Sequence, residues 1–314
     1  MGIILEYKAL FAQSKQNQIS WKWCMIPSTI IILSFSLHLL NYPLTASSYC
    51  EIQEHAFVLV NKYLNVMPSS LWANLTLFGD GTVLVSVISI AIVNTPRVWI
   101  SLINTSVLTG LCSLSLKHLI NTPRPAGFMG SDQFLITGEI LTKHSLPSGH
   151  TMTVFAGIST LLLAKQQLSS GRSNILGVSA LILFALVVGL SRVAVGAHWI
   201  LDVVYGASLG SVMAFISVQL TMTWPDRWVA EFDYHAGIII PLLLVAMALS
   251  LSYKLLHESI GEPVYGLALC CSLCAAGAMF FRQLGQDTLQ PPLLLPNQDA
   301  SQRLLSLEGN KAIS

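Results

Sequence analysis

Apolar residues fall along this chain in eight runs separated by polar breaks, at about 24–40, 71–93, 98–116, 151–164, 174–190, 199–221, 236–253 and 264–281. Most approach the roughly twenty residues that a helix needs to cross a hydrocarbon core. The pattern therefore predicts about eight membrane-spanning helices. The segment 56–66 interleaves apolar residues with Asn61, Lys62 and Asn65 and stops at Met67-Pro68. It is too short and too polar to span, which predicts an amphipathic helix lying at the interface. The stretch before it, to about residue 54, is polar, and Asn94-Thr95-Pro96-Arg97 makes a tight turn. Between runs three and four, residues 117–150 form the longest irregular stretch between spans, and loops of that length are commonly functional. No internal repeat is evident. The fold class is an all-α polytopic transmembrane bundle. A leader covers 1–22, one domain 23–282 and a flexible tail 283–314, where Pro291-Pro292 and Pro296 fall.

Composition agrees with the pattern. Of 314 residues 53% are hydrophobic and 10% charged, against about 25% charged in soluble domains. Mean hydropathy is +0.65. A net charge of +1 gives no reason to expect a nucleic-acid partner. Of six cysteines only Cys50 falls in a plausible aqueous loop, so no disulfide framework is expected. Cys271 and Cys274 form a CxxC inside an apolar, small-residue-rich run, where helix packing is the expectation. The first twenty residues lack a secretory signal pattern, so the first run is expected to be a retained anchor, preceded by Trp21 and Trp23 as at a bilayer boundary.

Counting spans puts the loops after runs three and five on one face. With a cytoplasmic N-terminus, the opposite face collects Lys62, Lys117, Arg124, Lys143, Arg192 and Lys254, and the cytoplasmic face the other ten of the 16 Lys and Arg. Ten against six favours that orientation under the positive-inside rule.

Three polar clusters share the outward face. In Lys117-x6-Arg124-Pro125, Pro123 and Pro125 end the helix, so the two cations reach in from a helix end and its loop. Pro147-Ser148-Gly149-His150 opens a helix, whose free N–H groups suit an anion. Ser148 can cap and donate, and Gly149 allows close approach. In Ser191-Arg192-x5-His198-x3-Asp202 the histidine and aspartate are four apart. If helical, they share a face, and the carboxylate can hold an imidazole N–H. Taken one at a time, these clusters also fit snorkelling cations, an ordinary helix cap and an interfacial ion cluster. Together, three cations, a helix N-terminus and two histidines describe a phosphate-transfer site. No metal-ligand spacing occurs among them, so a metal-independent mechanism without cofactor is expected. Asp80, inside the second run, is an intramembrane carboxylate with either a functional or a helix-end role.

The three motifs, complete and in this order, resemble the type 2 phosphatidic acid phosphatase (PAP2) superfamily over residues of about 75–222. The resemblance implies a six-helix core and hydrolysis of a lipid phosphate. It implies that His198 attacks phosphorus, Asp202 orients its ring, and His150 protonates the leaving group and then activates water. Lys117, Arg124 and Arg192 would hold the phosphate oxygens, with Ser148 and the Gly149 N–H completing the cradle; Ser191 is left with helix capping. Phosphatidic acid, phosphatidylglycerol phosphate, undecaprenyl diphosphate and lipid A phosphates all fit such a pocket. Vanadium haloperoxidase chemistry, lipid-to-lipid phosphotransfer, and non-catalytic lipid binding or transport are the competing readings. Short loops and no signal lean towards a bacterial inner membrane, with the site facing the periplasm or exterior.

Overall fold

The computed structural model describes residues 19–41, 45–168, 175–258 and 260–289. Expectations for the leader before residue 19, the basic turn at 169–174 and the tail beyond Leu289 lie outside them. The helices are α1 (Lys22–Asn41), α2 (Ala46–Leu64), α3 (Ser69–Leu77), α4 (Gly81–Ile92), α5 (Pro96–Ile120) and α6 (Pro125–Phe128). They continue as α7 (Gly149–Leu168), α8 (Ile175–Ala194), α9 (Ile200–Met222), α10 (Asp226–His257) and α11 (Glu262–Leu289). No strand occurs among the described residues. The protein is an all-helical membrane bundle.

Each of the eight apolar runs falls on helix. Five helices are long and apolar enough to cross a membrane: α5, α8, α9, α10 and α11. The second run is broken into α3 and α4, bent by 66°, and counts as a sixth span if the pair is taken as one. Asp80 makes that break. It is the N-cap of α4, its Oδ1 accepting from the N–H groups of Thr82 (2.7 Å) and Val83 (3.4 Å), so its helix-end role is the one observed. Exposed leucines and isoleucines such as Ile175, Leu176 and Leu249 suit lipid, not water.

The bundle closes around α7 and α9. Gly206 and Gly210, one turn apart on α9, lie directly on the carbonyls of Ser148 and Met152. A Cβ at Gly210 would sit 2.4 Å from the Met152 oxygen, so small residues set this contact, as expected where lipid removes the hydrophobic drive for helix association. Polar links across helices add to it: Thr105 Oγ1 to Thr160 Oγ1 at 2.9 Å, and the Ser217 hydroxyl donating to the Ser101 carbonyl at 2.8 Å.

Three expectations are corrected. The interfacial helix begins ten residues earlier than the polarity pattern suggested, at Ala46, because Thr45 and Ser48 form a capping box. Its polar residues divide between two faces: Gln53 and Asn61 are buried, while Glu51, His55 and Lys62 are exposed. Cys50 is likewise buried in α2 rather than in an aqueous loop. Finally, the region taken as tail starts helical, since α11 continues to Leu289.

Candidate active site at the helix ends

Four helix ends meet at one end of the bundle. They are the last turn of α5, the first turns of α7 and α9, and the last turn of α8. The α8–α9 turn folds back tightly, with the N–H groups of Ala197 and His198 donating to the Arg192 carbonyl at 3.0 and 3.2 Å. Gly196 makes the reversal with φ +76°, and a Cβ there would lie 2.8 Å from the Leu135 carbonyl oxygen. Both the positive φ and the close approach call for glycine.

Asp202 is the centre of the arrangement. It is fully buried and accepts from four donors: Tyr49 OH (2.7 Å), the Ser145 hydroxyl, the Trp199 N–H (2.9 Å) and His198 Nδ1 (3.2 Å). His198 itself precedes α9, whose N-cap is Trp199, so a cap rather than a shared helical face brings the pair together. With Nδ1 turned to the carboxylate, Nε2 is left as the reactive nitrogen. His198 is 1% exposed. Burial, and then the charges of Arg124, Arg192 and Lys117, hold its pKa well below the usual value, so the ring is neutral at pH 7.

The three cations of the sequence motifs surround it. Arg192 is 7% exposed, donates to Thr76 Oγ1 through Nη1, and has a buried Nε with no hydrogen-bond partner among the described residues. Arg124, 8% exposed, is braced by backbone carbonyls, its Nε on Lys143 (2.9 Å) and its Nη1 on Ala197 (3.0 Å). That bracing leaves Nη2 for a ligand. The half-buried Lys117 ammonium approaches the start of α7, 3.5 Å from where a Gly149 Cβ would stand. None of the three forms an ion pair with a carboxylate among the described residues.

The α7 N-terminus completes the cluster. Ser148 is fully buried; its N–H donates to the Asp202 carbonyl (3.1 Å) and its Oγ accepts from the Thr151 hydroxyl (2.9 Å) and N–H (3.5 Å). His150 is seated on Gly79 and lies within electrostatic reach of Arg192, His198, Lys117 and Asp80. All eight residues singled out by the motifs thus gather here. Ser191 does not: it is inside α8, where its hydroxyl donates to the Val188 carbonyl (2.6 Å) instead of capping a start. Among the described residues, no three His, Cys, Asp or Glu come together as a metal ligand set.

Motif reading missed α2 and Ser145. Tyr49, Gln53, Phe57 and Asn61 recur every four residues, one stripe of α2, and all four are buried. Tyr49 holds Asp202, while Gln53 accepts from the Leu201 N–H at 3.0 Å. Phe57 stands edge-on to Trp199. Asn61 donates to the carbonyls of Leu135, Val193 and Ala194, at 3.0, 2.9 and 3.1 Å. The fourfold repeat was the available signal. Beside the site an apolar cavity of about 540 Å³ opens between α1, α5 and α9, walled by Ile31, Phe35, Leu116, Leu119, Leu201 and Tyr205. Tyr49 and Pro147 form its boundary with the polar cluster.

A sequence model of the PAP2 superfamily matches residues 98–226. An undecaprenyl-diphosphatase of Sulfolobus acidocaldarius is 32% identical over 177 residues, spanning 56% of this chain and 81% of that protein. The crystal structure of Aquifex aeolicus LpxE is similar with a TM-score of 0.44 and 27% identity, covering 53% of this chain and 94% of the other.

Proposed function

The chain belongs to the PAP2 superfamily and is a membrane phosphatase, and we propose that it hydrolyses the terminal phosphate of a lipid diphosphate or lipid phosphate through a phosphohistidine on His198. The carrying observation is that the buried Arg124 and Arg192 and the half-buried Lys117 lie within electrostatic reach of one another, and among the described residues none has an ion-pair partner. Buried cations without counter-charge are costly, and a bound phosphate dianion supplies that charge.

Neutral Nε2 of His198 attacks phosphorus in line, and the bond to the leaving oxygen breaks. Asp202 stabilises the positive charge that grows on the ring. Lys117, Arg124, Arg192, Ser148 and the Gly149 N–H take the equatorial oxygens, whose charge is greatest in the transition state. His150, protonated once the bound phosphate dianion offsets the neighbouring cations, gives that proton to the leaving oxygen. It then takes one from water, whose oxygen attacks the phosphohistidine and releases inorganic phosphate, restoring both rings. No step calls on a metal.

The apolar cavity beside Pro147 and Tyr49 supports a lipid rather than a soluble ester, since hydrocarbon can lie there while the headgroup enters the cations. The S. acidocaldarius relative favours a polyprenyl diphosphate, undecaprenyl diphosphate first, over phosphatidic acid, phosphatidylglycerol phosphate and lipid A phosphates. The site is assigned to the outer face of a cytoplasmic membrane, of the bacterial inner-membrane kind. Supporting this, Arg97 and Arg282 sit at the opposite end, on carbonyls of Thr221, Trp224 and Val93. The test is phosphate release from each of the four lipids by detergent-solubilised protein in EDTA. Release from undecaprenyl diphosphate is expected, and His198→Ala is expected to abolish it. Full activity of that variant would sink the nucleophile assignment, and a phosphorylated acceptor lipid in place of free phosphate would make the protein a phosphotransferase.

A further inference from the structure

Phe78-Gly79-Asp80-Gly81 interrupts an apolar run with two glycines and a carboxylate, and there α3 turns into α4. This bend lies outside the matched family region 98–226, yet it touches the site twice. Thr76 Oγ1 accepts from Arg192, and Gly79 lies so close beneath His150 that a Cβ would come 2.5 Å from the His150 Cβ. A bend is a weak base on which to seat a proton donor, because short i→i−3 turns, Gly79 N–H on the Thr76 carbonyl (3.0 Å) and Asp80 N–H on the Leu77 carbonyl (2.9 Å), stand there in place of the α-helical ladder.

The last two helices supply the missing support. Lys254, in the last turn of α10, bonds Asp80 Oδ2 at 3.1 Å through Nζ, while Asp80 Oδ1 stays on the α4 N-terminus. Tyr265 of α11 places its ring 5.5 Å from that ammonium, and its hydroxyl donates to Glu258 at 2.6 Å. In the turn between the helices, Gly261 (φ +100°) presses on Leu77, where a Cβ would lie 2.4 Å from Leu77 Cδ1. Leu77 and Phe78 pack with Val83, Leu251 and Val264 in one apolar cluster. A salt link, an aromatic lid and a close-packed turn all converge on the bend.

We propose that the α10–α11 hairpin is a buttress for catalysis, with Lys254 and Asp80 as positioning residues that hold the Thr76–Asp80 bend under His150 and Arg192. This rests on the phosphatase reading above, and it gives the last two helices a task in the reaction rather than in anchoring alone.

The experiment compares kcat, KM and melting temperature of the solubilised full chain with those of four variants. Lys254→Met removes the link, and Lys254→Arg restores a cation. Asp80→Asn keeps an N-cap side chain but loses the charge. Arg282→Gln breaks a different ion pair of α11, the 2.7 Å bond to Asp233 at the far end of the hairpin. Displacing catalytic groups by an ångström costs up to about a hundredfold. Lys254→Met and Asp80→Asn are therefore expected to lose roughly tenfold or more in kcat with KM nearly unchanged. Lys254→Arg should recover most of it, and Arg282→Gln should keep wild-type kcat. If Lys254→Met does not fold, Asp80→Asn carries the test. Wild-type kcat in Asp80→Asn, or an equal loss in Arg282→Gln, overturns the buttress while leaving the phosphatase standing. A wild-type protein that releases no phosphate from any lipid overturns both.

Discussion

Tyr49→Phe removes the phenol's hydrogen bond to Asp202, the carboxylate proposed to orient the nucleophile. The phenol donates to Asp202 Oδ1 at 2.7 Å in a fully buried setting. Burial, and then the Asp202 charge, hold its pKa well above the ordinary value, so it is a donor at every working pH. Phenylalanine keeps the ring that borders the apolar cavity and removes only the hydroxyl. Asp202 then retains three of its four donors, Ser145, Trp199 and His198, while Oδ1 is left without the phenol. A hydrogen bond to a buried charged group contributes about 1.5–3 kcal/mol. If the loss is felt as the imidazolium forms, kcat falls roughly ten- to a hundredfold. The hydroxyl bonds the carboxylate rather than the phosphate cluster, so KM should hold. The assay is steady-state phosphate release on the best lipid, with thermal melting alongside. A rise in KM at unchanged kcat would refute the reasoning, because it would make Tyr49 a wall of the lipid cavity and nothing more.

Gly79→Ala should lower both melting temperature and kcat. Its Cβ would lie 2.9 Å from the His150 Cα, which only a backbone shift relieves, at a typical cost of about 1–3 kcal/mol; melting and phosphate-release curves matching wild type would refute the close seating of His150. His198 has its pKa held below 6.5 by burial and then by Arg124, Arg192 and Lys117, so below that pH the unfolded chain binds a proton that the folded one refuses. Stability is then lost as pH falls below the unfolded value, and wild type should lose more melting temperature between about pH 7 and 5 than His198→Gln; parallel curves would contradict a neutral buried ring.

What was legible in the sequence, and what was not, divides by the distance over which each feature is specified. Most helices were visible because each lies on an apolar run, although only five, or six with the bent pair, are long and apolar enough to cross a membrane, fewer than the eight expected. The eight motif residues were visible because each cluster sits within a few positions of its own helix end, where a cation or a Ser-Gly turn stands out against apolar neighbours. The Asp80–Lys254 pair has no such local mark, since its partners are 174 residues apart. Asn61 was misjudged for a related reason: polar residues every fourth position look like a wetted face unless one knows what covers them. A constraint that needs no coordinates points the other way. The segments 117–150 and 195–199 carry irregular backbone beside a membrane, and their carbonyls must find donors within the protein. Asn61 meets that demand for Leu135 and its neighbours, as Arg124 does for Lys143 and Ala197, and Trp199 Nε1 does for Pro123 at 2.9 Å. Where a membrane enzyme builds its site from loops, nearby amide and phenol side chains at helical spacing belong to the site's scaffold and act through the groups they hold in place.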